Sequence, residues 1–310
     1  MSEPYLIIVG GPTGSGKGSL PLKVIEHLKL SSDYVPIIID DLVENSRYYI
    51  KEVGKIIDGL SSESTSKIEA SFLNPSPELL DKMGVAYWTA RKKVECDTGK
   101  LCTIPPPDDQ GDCNTCDSIN NKKMDQAFER GKNVVFETQM MYVPDWIMTK
   151  YREQIERHNY KIIISYSVVE LCELLERNKS RAIESLTKYL EDNTKSPPRL
   201  PDIRESEYKK KLKEIIEVFK KLNKVPIIES HFVRLLLFDN NSHTSRLLYD
   251  NMATERYQLG ELSIDQYKPN EPCPSYDRGS KKTKKKTKKK PKKKTKKKPK
   301  KKPKKKPKKN

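Results

Sequence analysis

Residues 5–20 read YLIIVGGPTGSGKGSL, and this stretch decides the fold. Its first five residues are apolar and mostly β-branched or aromatic, which is typical of a buried parallel strand. The glycines that follow match the pattern G-x-x-x-x-G-K, in which backbone N–H groups curl around phosphate at the start of a helix. The predicted nucleotide-binding residues are Gly11, Pro12, Thr13, Gly14, Ser15, Gly16, Lys17, Gly18 and Ser19.

The loop departs from the usual pattern at one position. Gly18 stands where a hydroxyl normally binds magnesium, and Ser19 offers a hydroxyl one residue later. Lys17 is expected to bring its charge to the β- and γ-phosphates. The loop therefore predicts ATP and magnesium as cofactors, with Ser19 as a magnesium ligand.

The rest of the chain alternates between strand and helix patterns. Alternation of this kind after a glycine loop is typical of an α/β fold, a doubly wound parallel sheet of five strands flanked by helices. We predict this domain over residues 1–250. The further predicted strands are residues 35–39, 133–138, 160–169 and 232–240, and the predicted helices include 42–57, 119–130, 144–158, 170–192 and 203–223.

The net charge of +18 is concentrated at one end of the chain. Residues 281–309 hold 22 lysines and no acidic residue, which leaves 39 basic against 43 acidic residues in the remainder. A lysine run broken by prolines cannot form a helix, so we predict a linker over 251–279 and a disordered tail over 280–310. The tail is expected to bind nucleic acid or another polyanion, or to act as a nuclear signal; expansion without function is the third interpretation.

Four cysteines lie in a proline-rich insertion at about residues 95–118. They are Cys96, Cys102, Cys113 and Cys116, in the spacings C-x5-C and C-x2-C. A structural zinc ion is one interpretation of this group and unligated thiols are the other. The N-terminus lacks a secretory pattern and no apolar run is long enough to span a membrane, so we expect an intracellular protein of cytoplasm or nucleus with reduced thiols and no membrane partner.

Several motifs together resemble a known family. The loop GPTGSGKGS is similar to that of adenylate kinase, where the hydroxyl also follows a glycine. The remaining motifs, in their order along the chain, resemble zeta-toxin-like P-loop kinases. These motifs are IIIDDL at 37–42, GKNVVFET at 131–138, VPDWI at 143–147, YKIIISYSVV at 160–169 and LLERNKSRA at 174–182.

The resemblance implies roles for specific residues. Asp41 or Asp40 would be the base that accepts the proton of the acceptor hydroxyl, although an aspartate here could also be a helix N-cap. Glu137 would orient magnesium or hold the substrate. Arg177 and Arg181, one helical turn apart, would close over the transferring phosphate, unless they belong to an ordinary solvated face. Asn240 and Asn241 would contact the adenine or form a turn.

Three functions follow as alternatives. The first is a zeta-toxin-like kinase that moves the γ-phosphate of ATP to a hydroxyl of a small or nucleotide-linked acceptor. The second is a nucleoside-monophosphate or polynucleotide 5′-hydroxyl kinase, for which the lysine tail would retain nucleic acid. The third is a nucleic-acid-binding or packaging protein without enzymatic activity, whose nucleotide domain is regulatory or silent.

Overall fold

The structure is a computed structural model that describes residues 3–60, 64–102, 113–139, 145–193, 196–201, 214, 233–241 and 246–252. All of them belong to one compact unit, Met1–Glu271. Several predicted segments lie outside the described residues: the helix at 203–223 apart from residue 214, the middle of the insertion, nearly all of the linker, and the lysine tail.

A six-stranded sheet forms the centre of the described region, with the strand order β2-β3-β1-β4-β5-β6. The strands are β1 (Tyr5–Gly10), β2 (Val35–Ile37), β3 (Val134–Thr138), β4 (Lys161–Val168), β5 (Val233–Asp239) and β6 (Arg246–Asp250). The first five are parallel, which confirms the predicted α/β parallel sheet. The chain moves to one side of β1 for β2 and β3 and to the other for β4 and β5, as in a doubly wound fold.

The predicted count of five strands is wrong, because β6 adds a sixth. It pairs antiparallel with β5 at the edge of the sheet. Asp250 on β6 is buried, forms an ion pair with Arg234 of β5 at 2.5 Å and lies within hydrogen-bond distance of His27 Nε2, at 3.0 Å. These contacts attach the edge strand to the rest of the sheet. No local sequence pattern predicts them, because their partners lie far apart in the chain.

Nine α-helices occur in the part of the chain that the structure describes. They are α1 (Leu20–Leu28), α2 (Ile39–Glu44), α3 (Arg47–Leu60), α4 (Thr65–Leu73), α5 (Pro77–Lys92), α6 (Cys116–Glu129), α7 (Asp145–Lys150), α8 (Arg152–His158) and α9 (Leu171–Glu191). Among these described helices, none has the length and apolar character needed to cross a membrane.

Apolar clusters hold the sheet and the helices together, and two of them lie entirely within the described residues. One packs α1 against the sheet and includes Ile7, Val24 and Leu236. The other is built mainly from α3, α4, α5 and α9, with Tyr49 and Phe72 among its fully buried side chains. Helices α4 and α5 lie in a region for which the sequence patterns predict no element, and they form much of this second cluster. Helices α3, α4, α5 and α9 therefore form a helical lobe, which lies beside the start of α2.

The four cysteines of the insertion are paired as disulfides, Cys96–Cys116 and Cys102–Cys113. Their sulfurs are therefore not free thiolates that could bind zinc, and the expectation of reduced thiols is wrong for these residues. Within the described residues, no group of three or more His, Cys, Asp or Glu side chains is placed to hold a metal ion. The insertion is also more regular than predicted, since Val94 and Leu101 form an antiparallel bridge and α6 begins at Cys116.

Candidate active site

The predicted phosphate loop connects β1 to α1 and lies at the carboxyl edge of the sheet. Gly14 and Gly16 have φ angles of 87° and 83°, in the left-handed region that glycine adopts without strain. A 3-10 turn, Lys17–Ser19, follows and leads directly into α1. Successive peptides in this conformation turn their N–H groups toward one concave space, which is the geometry that binds phosphate.

Lys17 is buried at the centre of this loop. Its Nζ donates to the Pro12 carbonyl at 3.2 Å and lies 3.6 Å from a carboxylate oxygen of Glu137. Burial lowers the pKa of Lys17, although the charges of Glu137 and Asp40 act in the opposite direction. Burial raises the pKa of Glu137, with the charges of Asp40 and Asp41 adding to the effect and Lys17 opposing it. The structure thus brings together the loop lysine and the acid predicted on β3.

Asp40 lies in the first turn of α2, just after β2, and faces two partners. Its Oδ1 accepts a hydrogen bond from the Tyr87 hydroxyl at 2.5 Å, and its Oδ2 lies 2.5 Å from Nη1 of Arg199. Burial alone would raise the pKa of Asp40, but Arg199, the Tyr87 hydrogen bond and Lys17 outweigh it and hold the pKa below its usual value. Asp40 therefore stays ionised at neutral pH in a half-buried site.

Asp41, the other candidate base, is exposed. The N-cap position of α2 is Ile38 and carries no side-chain cap, so neither aspartate is the helix cap that the sequence also allowed. Asp40 and not Asp41 makes the contacts with Arg199 and Tyr87. The geometry thus separates two residues that the sequence could not.

The two arginines predicted as a lid have different surroundings. Arg177 is partly buried, where its guanidinium donates to Glu173 at 2.8 Å and to the Asn240 carbonyl at 2.7 Å. Arg181 is more exposed and pairs at 3.5 Å with Glu44 of α2. Arg199 contacts the same Glu44 at 3.2 Å. Closure of either lid arginine over a phosphate stays a prediction.

The asparagine pair after β5 is engaged within the protein. Asn240 donates its side-chain amide to the Ser15 carbonyl of the phosphate loop at 2.6 Å. Asn241 accepts from the backbone of Glu170 and donates to Asp239 at 2.8 Å. The predicted contact of these residues with adenine stays a prediction.

The hydroxyls of the loop differ in their environment. Ser19 Oγ is exposed and contacts only the Gly16 carbonyl, at 3.0 Å, among the hydrogen bonds described. Ser15 Oγ is buried and has no hydrogen-bond partner among the residues that the structure describes. Magnesium bound to nucleotides usually takes one or two protein oxygens and completes its shell with phosphate and water. Ser19 and Glu137 supply oxygens of this kind at the loop, so these residues fit the ion.

Sequence reasoning missed three residues of the site. Tyr87 lies on α5 in the unassigned region, and Arg199 lies between prolines in a segment that reads only as a break. Asn178 lies in the motif LLERNKSRA, but the resemblance assigns roles only to Arg177 and Arg181 of that motif. The Arg199 guanidinium also stacks 4.6 Å from the Tyr87 ring centre. All three are placed by tertiary packing, and no local spacing marks them.

No family model and no curated protein matches this chain. Among solved structures, it is similar to a protein of the PezAT chromosomal toxin–antitoxin system of Streptococcus pneumoniae, with 12% identity over 84% of this chain and 76% of that one and a TM-score of 0.43. It is also similar to a candidate kinase from Chloroflexus aurantiacus, at 11% identity, 68% and 78% coverage and a TM-score of 0.29.

A third similar structure is the AvrRxo1-ORF1:-ORF2 complex, at 10% identity and a TM-score of 0.37; the match covers 80% of this chain but only 58% of that one. Because all three TM-scores are below 0.5, the function has to be inferred from the residues of this chain's own site.

Proposed function

We propose that this protein is a kinase that transfers the γ-phosphate of ATP, with magnesium, to a hydroxyl group of a small or nucleotide-linked acceptor. The observation that carries the proposal is the position of Asp40. This ionised carboxylate and the phosphate loop lie at the same edge of the sheet, and Lys17 interacts electrostatically with both Glu137 and Asp40. This arrangement supports a site in which the loop would bind phosphate and Asp40 would act as the base.

Each residue would perform a defined task. The loop N–H groups and Lys17 would hold the β- and γ-phosphates and balance their charge. Ser19 and Glu137 would hold magnesium, which supplies additional positive charge at the phosphates when it is bound. Arg199 and Tyr87 fix the two oxygens of Asp40 and keep the carboxylate ionised. These are the requirements of phosphoryl transfer, in which positioning and charge stabilisation dominate.

The transfer step would exchange one bond to the γ-phosphorus for another. The acceptor hydroxyl oxygen forms a bond to the γ-phosphorus while the bond from that phosphorus to the β-bridging oxygen breaks, and ADP leaves. The hydroxyl proton passes to Asp40. This role requires an ionised Asp40, which the depressed pKa provides at neutral pH.

The second candidate, a polynucleotide kinase, is favoured by one feature, the tail. Its 22 lysines would bind nucleic acid through phosphate contacts without reading the bases. Binding of this kind weakens steeply as salt rises. A nucleic-acid acceptor would therefore be used best at low salt, and loss of residues 280–310 would reduce its use but spare ATP binding.

The proposal is tested by incubating the full-length protein with γ-labelled ATP, magnesium and four acceptor classes: UDP-sugars, nucleosides, nucleoside monophosphates and 5′-hydroxyl oligonucleotides. We expect label to move to one class. Asp40→Asn should abolish this transfer, and Asp41→Asn, which changes an exposed neighbour in the same turn, should retain most of it. Loss of transfer in Asp41→Asn with full activity in Asp40→Asn would refute the assignment of the base.

A further inference from the structure

Three side chains from different elements contact the outer side of the phosphate loop. Asn178 of α9 donates to the Thr13 carbonyl at 2.8 Å. Asn240, at the end of β5, donates to the Ser15 carbonyl at 2.6 Å, and Ser167 of β4 donates to the same oxygen at 2.7 Å. All three side chains are buried. Two carbonyls of the loop are therefore held from behind by donors that the loop itself does not supply.

Holding these carbonyls determines where the next N–H groups point. In a trans peptide the C=O and the following N–H lie in one plane and point in opposite directions. A Thr13 carbonyl fixed toward Asn178 sends the Gly14 N–H the other way, and a Ser15 carbonyl fixed toward Asn240 and Ser167 does the same for the Gly16 N–H. Without these donors, each peptide could rotate and turn a carbonyl oxygen toward the phosphates.

The glycines at these positions fit the same arrangement. A Cβ atom at Gly14 would collide with the Asn178 amide, and one at Gly16 would collide with the Asn240 amide. Both glycines also have left-handed φ angles, which disfavour a side chain independently of the contacts. Each asparagine is thus packed directly against the peptide that it orients.

We propose that Asn178, Asn240 and Ser167 are positioning residues that pre-set the Gly14 and Gly16 N–H groups for the phosphates of the nucleotide. The inference rests on the proposed function only in that the loop binds nucleotide. It gives Asn240 a role beneath the phosphates in place of the contact with adenine that the sequence suggests. Pre-orientation matters because a donor already aimed at the developing charge needs no reorganisation when the ligand binds.

The first measurement is the affinity for Mg-ATP by calorimetry on the full chain. Asn178→Ala, Asn240→Ala and Ser167→Ala should each weaken binding about fivefold, the value of one net hydrogen bond. Alanine favours a helix more than asparagine does, so a loss in Asn178→Ala would not come from weakening of α9. The contact of Arg177 with Asn240 uses the backbone carbonyl and survives the substitution.

Ser165→Ala is the matched control for Ser167→Ala. Ser165 is equally buried and lies on the same strand and face, but its hydroxyl contacts the Ile8 carbonyl at 3.4 Å and not the loop. Its substitution should leave Mg-ATP affinity unchanged. An equal loss in Ser165→Ala and Ser167→Ala would mean that the effect is only structural, and it would overturn the inference for Ser167.

A second measurement separates positioning from general loss of structure. With ¹⁵N-glycine labelling, the chain gives few amide signals, since it has 13 glycines. In the native protein, Mg-ATP should move the Gly14 and Gly16 amide resonances. Asn178→Ala should diminish the Gly14 response alone, and Asn240→Ala should diminish the Gly16 response alone.

The outcomes are distinguishable. The inference would be overturned if the asparagine variants bind Mg-ATP as tightly as the native protein does and show unaltered glycine responses. The proposed function would not be affected by that result. Native protein that fails to bind Mg-ATP would overturn the proposed function and the inference with it.

Discussion

Tyr87 donates its hydroxyl to Asp40 Oδ1 at 2.5 Å, although 47 positions separate the two residues in the chain. The contact joins α5 of the helical lobe to the first turn of α2. It also places an aromatic ring beneath the Arg199 guanidinium, which holds the other oxygen of the same carboxylate. The lobe therefore fixes the orientation and the charge of the proposed base.

Tyr87→Phe should shift the pH dependence of transfer. Asp40 must be ionised to accept a proton, so activity falls as the pH drops below its pKa. The Tyr87 hydrogen bond contributes to the low pKa of Asp40, and its removal raises that pKa. We expect the acidic limb of the rate profile to move to higher pH. Tyr160→Phe removes a hydroxyl of another buried tyrosine, which donates to the Lys132 carbonyl away from Asp40 and Arg199, and it should leave this limb in place.

Ser19→Ala should weaken magnesium-dependent nucleotide binding more than Ser15→Ala does. Ser19 Oγ is exposed at the loop, whereas Ser15 Oγ is buried beneath it. The measurement is the ratio of ATP affinities with and without magnesium for each variant. The reverse order of effects would show that the metal-binding hydroxyl is assigned to the wrong serine.

Loss of the Cys96–Cys116 disulfide should destabilise the domain. The bond closes a loop of 20 residues, and cross-links of this length contribute about 3 kcal/mol to stability. We expect a decrease of this order in the free energy of unfolding for a double Cys96→Ser, Cys116→Ser variant, measured in urea. The pair Cys102→Ser, Cys113→Ser opens a separation of 11 residues that is nested inside the first loop, so its cost should be of the same order.

The five parallel strands could be predicted because each is a short, buried apolar run that ends in turn residues. The edge strand β6 could not, since its attachment depends on the buried Asp250 contacting Arg234 and His27 from other elements. The phosphate loop could be predicted because its glycines and its lysine lie close together in the sequence. Asn178, Tyr87 and Arg199 act only through neighbours that folding supplies, so their positions in the sequence carry no signal.

The disulfide pairing in the insertion could not be predicted from the sequence either. Cysteine spacing alone allowed either a zinc site or free thiols, and the fold instead pairs the residues as disulfides. Spacing along the chain does not reveal which sulfurs become neighbours. Only the approach of the start of α6 to the segment after α5 determines the pairing of Cys96 with Cys116.

The central claim is that the buried Lys17 of the loop binds the phosphates of ATP. Calorimetric titration of Mg-ATP into native protein and into Lys17→Ala tests this claim most directly. Hydrogen bonds to charged groups contribute about 1.5–3 kcal/mol, so the variant should bind at least about tenfold more weakly. Lys55→Ala, which removes an exposed lysine paired with Glu52, should bind as the native protein does. Equal affinity of the native protein and Lys17→Ala would contradict the claim.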